Sequence, residues 1–103
     1  MTKSNARKKT LDDQQVNLLS EAFRVLGDPT KLKICMLLSD NECSVSEIAE
    51  SVGLSDSAAS HSLRILRNLR LVKYRREGKM IYYSLDDEHV EDLIKVGVDH
   101  ITE

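Results

Sequence analysis

Residues 44–85 read SVSEIAESVGLSDSAASHSLRILRNLRLVKYRREGKMIYYSL, and the spacing of the apolar positions changes once along that stretch. Ser44-x-x-Glu47 is a capping box: the serine oxygen takes an amide of the first turn and the glutamate reaches back to the serine amide. It opens a short helix carrying Ile48, Ala49 and Val52, which Gly53 ends as a left-handed residue. Ser55 caps a longer helix that runs to about Asn68. Beyond it the helical period gives way to β-branched and aromatic runs, Leu71–Arg76 and Met80–Leu85, around Glu77-Gly78-Lys79. That pattern is a hairpin. A short helix, the turn Val52-Gly53-Leu54, a longer helix and a hairpin, in that order, predict a winged helix-turn-helix.

Working outward, Asp12-x-x-Gln15 is a second capping box, before a helix with an apolar stripe of Val16, Leu19, Phe23 and Leu26. Gly27 ends that helix, and Asp28-Pro29 supplies an N-cap and an N1 proline for the next, with Ile34, Leu37 and Leu38 facing inward. Downstream of the hairpin, Asp86-Asp87 starts a final helix with acids in its first turn, where the helix dipole favours them. The expected fold is mainly α with a β-hairpin, in the order α-α-α-α-β-β-α. Residues 1–9, with Lys3, Arg7, Lys8 and Lys9, read as a disordered basic arm, and residues 10–103 as one DNA-binding and dimerisation domain.

A net charge of −2 hides an asymmetry. Between Arg64 and Lys79 seven bases stand against one acid, Glu77; from Asp86 to Glu103 seven acids stand against one base, Lys95. A block suited to phosphates precedes a block suited to cations. Two cysteines, Cys35 and Cys43, make no disulfide framework: Cys35 reads as a buried small hydrophobe and Cys43 as the more exposed, oxidisable thiol. No apolar run approaches the roughly twenty residues of a membrane span, so the chain reads as soluble and cytoplasmic.

The longer helix has two chemically distinct faces. At about 100° per residue, Ser57, Ser60, His61, Arg64 and Asn68 share an arc of about 100°, while Ala59, Leu63 and Leu66 lie on the other side. Small hydroxyls, an imidazole, an amide and a guanidinium can reach base edges and phosphates from within a major groove. Arg75, Arg76 and Lys79, near the hairpin tip, are placed for contacts to the flanking backbone. Double-stranded DNA is therefore the expected partner.

In the final helix, His89 and His100 are eleven residues apart, about 16 Å along the axis but nearly on the same face. No ion with ligand distances of about 2 Å bridges that gap within one helix. Laid antiparallel on its own copy, the stripe His89-Leu93-Val96-His100 sets His89 of one chain beside His100 of the other. Asp87 precedes His89 and Glu103 lies one turn from His100, giving two imidazoles and two carboxylates at each of two sites in a homodimer. Four N/O ligands with no open position suit Zn(II) and its surrogate Co(II), whereas Ni(II) takes more ligands. A zinc hydrolase needs an open position and a substrate pocket, so no enzyme is expected.

Residues 44–90, SVSEIAESVGLSDSAASHSLRILRNLRLVKYRREGKMIYYSLDDEHV, resemble the ArsR/SmtB metal-sensing repressors, most specifically in Ser60-His61-x-Leu63 and in the wing Leu71-Val72, Gly78 and Tyr82-x-x-Leu85. The likeness extends over roughly residues 16–103. It implies a homodimeric winged helix that binds operator DNA when metal-free and leaves it when an ion binds. One class of the family holds its ion with paired cysteines in a Glu-Leu-Cys-Val-Cys-Asp motif. The matching residues Glu42-Cys43-Ser44-Val45-Ser46-Glu47 put hydroxyls at both thiolate positions, so that site is expected to be absent. The other class uses Asp-x-His from one subunit and His-x-x-Glu from its partner, which Asp87, His89, His100 and Glu103 match one for one. The alternative left open is a winged-helix regulator that senses thiol oxidation or another signal, with its histidines structural.

Overall fold

The computed structural model describes residues 10–103, so the arm read at residues 1–9 lies outside the described residues. Helix α1 (Asp13–Leu26) begins at Asp12 with both arms of its capping box in place, the Gln15 amide donating to Asp12 Oδ1 at 2.8 Å. Helix α2 (Pro29–Asp40) is capped by Asp28, which accepts from the Lys31 amide at 3.0 Å. Strand β1 (Cys43–Ser44) leads without a break into α3 (Val45–Val52). Ser44 caps α3, and Gly53, at φ 74°, ends it while the Leu54 amide bonds back to the Ala49 carbonyl at 2.9 Å. Helix α4 (Asp56–Asn68) follows, capped by Ser55; then come β2 (Val72–Glu77), β3 (Met80–Leu85) and α5 (Glu88–Thr102).

The end of α4 departs from the usual glycine stop. Arg70 holds φ 59°, its amide bonding to the Arg67 carbonyl and the Leu71 amide to the Leu66 carbonyl, both at 2.9 Å. These are the two bonds of a left-handed helix stop, made by a residue whose Cβ disfavours that conformation by roughly 1–2 kcal/mol. The turn delivers Leu71 and Val72 to the interior and starts the sheet.

Strands β2 and β3 pair antiparallel from Val72↔Leu85 to Glu77↔Met80, with Gly78 at φ 61° in the two-residue turn. The sequence pattern implied a two-stranded wing. A third strand is present: β1 pairs Cys43↔Tyr83 and Ser44↔Tyr82, giving the order β1-β3-β2. This pairing buries Cys43, correcting the expectation of an exposed thiol: the residue is 6% exposed.

Ile34, Ile48, Leu63, Leu66 and Val72 are the largest fully buried side chains and join α2, α3, α4 and the sheet into one core. Val90 and Ile94 attach α5 to it. Of the α1 stripe only Leu26 is buried; Val16, Leu19 and Phe23 remain about half exposed in the protomer. Among the described residues no helix is long and apolar enough to cross a membrane.

Candidate functional site

Packing fixes the orientation of α4. Ala59, Leu63 and Leu66 are fully buried, which turns the opposite face outward. There Ser57, His61, Arg64 and Asn68 are exposed and Ser60 is half-buried. The start of the helix is organised by hydroxyls: Ser55 Oγ accepts from the Ala58 amide at 3.1 Å and lies 3.3 Å from Ser57 Oγ. Ser46 Oγ of α3 donates to Asp56 Oδ2 at 3.2 Å, locking the two helices of the motif at their facing ends. At the far end the Arg67 guanidinium lies 5.0 Å over the Tyr74 ring, and Tyr74 packs on Tyr83 with centroids 5.6 Å apart. Aromatic contacts thus tie the helix to the hairpin.

The three wing bases differ in environment. Arg76 and Lys79 are exposed and make no ion pair among the described residues. Arg75 is engaged: Nε donates to Glu42 at 2.9 and 3.1 Å, Nη2 to Glu42 Oε1 at 2.9 Å, and Nη1 to Glu77 Oε1 at 2.8 Å. The Arg75 guanidinium holds the Glu42 carboxyl below its ordinary range. Glu42 enters the sequence reading only within the Glu42–Glu47 stretch; its partner Arg75 is 33 residues away and no local pattern marks the pair.

On α5, Asp87 is the N-cap. Its Oδ1 accepts from the amides of His89 at 2.9 Å and Val90 at 3.2 Å, while Oδ2 lies 3.4 Å from His89 Nδ1. The Val90 amide first, then the His89 side chain, hold the Asp87 carboxyl below its usual range. The His89 side chain is 89% exposed. His100 and Glu103 are exposed at the other end of the helix, and Leu93 and Val96 between them are 43% and 66% exposed. The four residues therefore form two groups, one at each end of α5. Among the described residues no three His, Cys, Asp or Glu side chains of the protomer converge on a point that could hold an ion.

Comparison with known proteins bears on both surfaces. The chain is 43% identical over 99 residues to a homologue, from Staphylococcus aureus, of the cadmium resistance transcriptional regulatory protein CadC, covering 95% of this chain and 82% of that one. It is 45% identical over 89 residues to a homologue of the transcriptional repressor SmtB from Synechocystis, covering 86% and 67%. The model of the family described as bacterial regulatory protein, arsR family, matches residues 28–74. The chain belongs to the ArsR family. Its fold agrees with that of a homodimeric winged helix-turn-helix DNA-binding domain from Mycobacterium bovis, a possible ArsR-family regulator, at a TM-score of 0.78 and 28% identity over 90% of this chain and 93% of that one. As an ArsR-family protein it is a transcriptional regulator and not an enzyme.

Within this ArsR-family chain, the two hydroxyls at the thiolate positions have structural roles. Ser44 is buried and caps α3: its Oγ accepts from the Glu47 amide at 3.2 Å, and its own amide donates to Glu47 Oε1 at 2.8 Å. Ser46 makes the bond to Asp56. Neither remaining thiol is presented to solvent. Cys35 is fully buried, and burial pushes it up to about 12; Cys43 is raised as well, by burial and then by Glu47. Oxidation proceeds through an accessible thiolate, so these environments disfavour thiol sensing.

Proposed function

We propose that the chain is a cytoplasmic zinc-responsive repressor: a homodimer that holds operator DNA when metal-free and releases it when Zn(II) fills two sites shared between α5 helices. The observation that carries this is the divided ligand set. Asp87 and His89 stand at one end of α5, His100 and Glu103 at the other, and an exposed apolar stripe joins them. That arrangement suits an antiparallel pair of helices, in which each site takes one end from each copy. The relative named for cadmium resistance supports a divalent metal as signal.

The donor chemistry fits zinc. Two imidazoles and two carboxylates make a closed four-ligand set of borderline character. Asp87 uses Oδ1 for the cap and keeps Oδ2 beside His89, so a carboxylate and an imidazole are gathered before any ion arrives. On the DNA side, Ser57, Ser60, His61, Arg64 and Asn68 face the major groove and Arg76 and Lys79 the flanking phosphates. The two surfaces are linked through backbone: the Asp86 amide, beside Asp87, donates to the Leu71 carbonyl at 3.1 Å, just past the end of α4. Fixing α5 across the dimer then sets the separation of the two α4 helices, which must match half-sites roughly 34–36 Å apart.

The test is operator binding followed by fluorescence anisotropy during titration with Zn(II) and Co(II). The native protein is expected to take two ions per dimer and lose operator affinity by roughly 5–150-fold, the span of a typical coupling energy. His89→Ala and His100→Ala should each abolish the metal response while leaving metal-free binding intact. A different stoichiometry, together with a full response in both variants, would refute the proposal.

A further inference from the structure

We propose that Arg75 is a wing-positioning residue that Glu42 holds away from the duplex, leaving the wing's phosphate contacts to Arg76 and Lys79. The inference rests on the DNA surface proposed above and assigns its bases separate roles.

Three features of the sheet carry it. First, the strand order is β1-β3-β2, and Tyr82 of β3 pairs with Ser44 on one side and Arg75 on the other. Arg75 passes over the Tyr82 ring, 5.0 Å from its centroid, to reach Glu42 just ahead of β1. The side chain is a strap across all three strands. Second, its nitrogens are committed. Nε and Nη2 fork onto Glu42 and Nη1 meets Glu77, so one guanidinium faces two carboxylates. With Lys73, whose charge also acts on Glu42, the group is neutral and offers a phosphate no net attraction. Third, adjacent strand residues point to opposite faces. Arg76 leaves the sheet on the other side and is unpaired among the described residues, as is Lys79 in the turn.

An exposed pair of this kind adds little to folding stability. Its effect falls on orientation and charge. β1 runs directly into α3, so the strap fixes the wing relative to the helix-turn-helix. It also subtracts one cation from those able to displace counterions from DNA.

Counterion release makes this measurable, since each neutralised phosphate contributes about 0.9 to the slope of log K against log salt. Operator binding by the full-length protein would be measured at several salt concentrations for the native chain and four variants. Each substitution occurs twice in the dimer, so Arg76→Gln and Lys79→Gln should each flatten the slope by about 1.8. Arg75→Gln should leave it unchanged, and Glu42→Gln, which releases one guanidinium per copy, should steepen it by about 1.8. A purely structural ion pair gives no such steepening. A slope flattened by Arg75→Gln, or unmoved by Glu42→Gln, overturns the inference. Without DNA, amide exchange in β2 and β3 should quicken several-fold in both Arg75→Gln and Glu42→Gln, and unchanged exchange would refute the positioning role. If the native protein binds no duplex at any salt, the DNA surface itself is wrong, and amide exchange alone decides the strap.

Discussion

Val96 offers a direct test of the dimer on which the proposed metal site depends. It sits between His89 and His100 on α5, one turn before His100, and is 66% exposed, so most of its side chain meets nothing within the protomer. Burying a valine fully is worth about 1.5 kcal/mol at the low end of the usual range. The two-thirds still open to solvent thus represent about 1 kcal/mol per copy, or about 2 kcal/mol at a two-fold interface where the residue occurs twice. Val96→Glu removes that gain and places a carboxylate in the contact. Even after relaxation an uncompensated charge there costs about another 1 kcal/mol or more per copy. A total of about 4 kcal/mol corresponds to roughly a thousandfold weaker dimer. Glutamate is a good helix former and the site is open, so α5 should persist. Sedimentation equilibrium of the metal-free protein would show the change as monomer at micromolar concentration, with far-ultraviolet circular dichroism intact. A dimer within threefold of native affinity would refute α5 as the contact, and loss of helix would refute the open environment assigned to Val96.

Ser44→Ala removes the oxygen that caps α3 and should lower stability by about 1 kcal/mol. The urea midpoint falls while its slope holds, and an unmoved midpoint would show that the cap contributes nothing. Cys35 gives a pH prediction. Its thiol is held at about 12 in the fold against about 9 when exposed, so between those values the folded chain keeps a proton that the unfolded chain has lost. Stability therefore falls as pH rises above about 9, by on the order of 1.4 kcal/mol per unit, and does not depend on this group below that point. Urea melts of the native chain and Cys35→Ala between pH 8 and 10.5 should converge, and parallel curves would refute the assignment.

What could be read from the sequence was local. Both capping boxes, the left-handed Gly53 and the turn at Gly78 depend on neighbours three or four residues apart, and each forms where its residues predict. The polar face of α4 was legible for the same reason, because 100° per residue leaves only one way to bury Leu63 and Leu66. Strand β1 was not legible. Two residues carry no periodicity, and they pair with β3 forty residues on. Burial of Cys43 and the strap from Arg75 to Glu42 both follow from that pairing and were hidden with it. The α1 stripe shows another limit. An apolar repeat does not reveal which chain it packs against, and Val16, Leu19 and Phe23 are half exposed where a one-chain core would have covered them. Asp87, His89, His100 and Glu103 could be proposed as ligands from spacing because distance along a helix is arithmetic; whether they hold an ion across two chains is a matter for the titrations above.

Strand β1 also constrains how a signal can act. Cys43 and Ser44 are at once the third strand of the wing sheet and the threshold of α3, so no flexible joint separates the two DNA-reading parts. Reading head and wing are joined without a loop where β1 meets α3. In the proposed release the cation acts on the spacing and tilt between two such pieces, as in callipers whose jaws keep their shape while the pivot tightens.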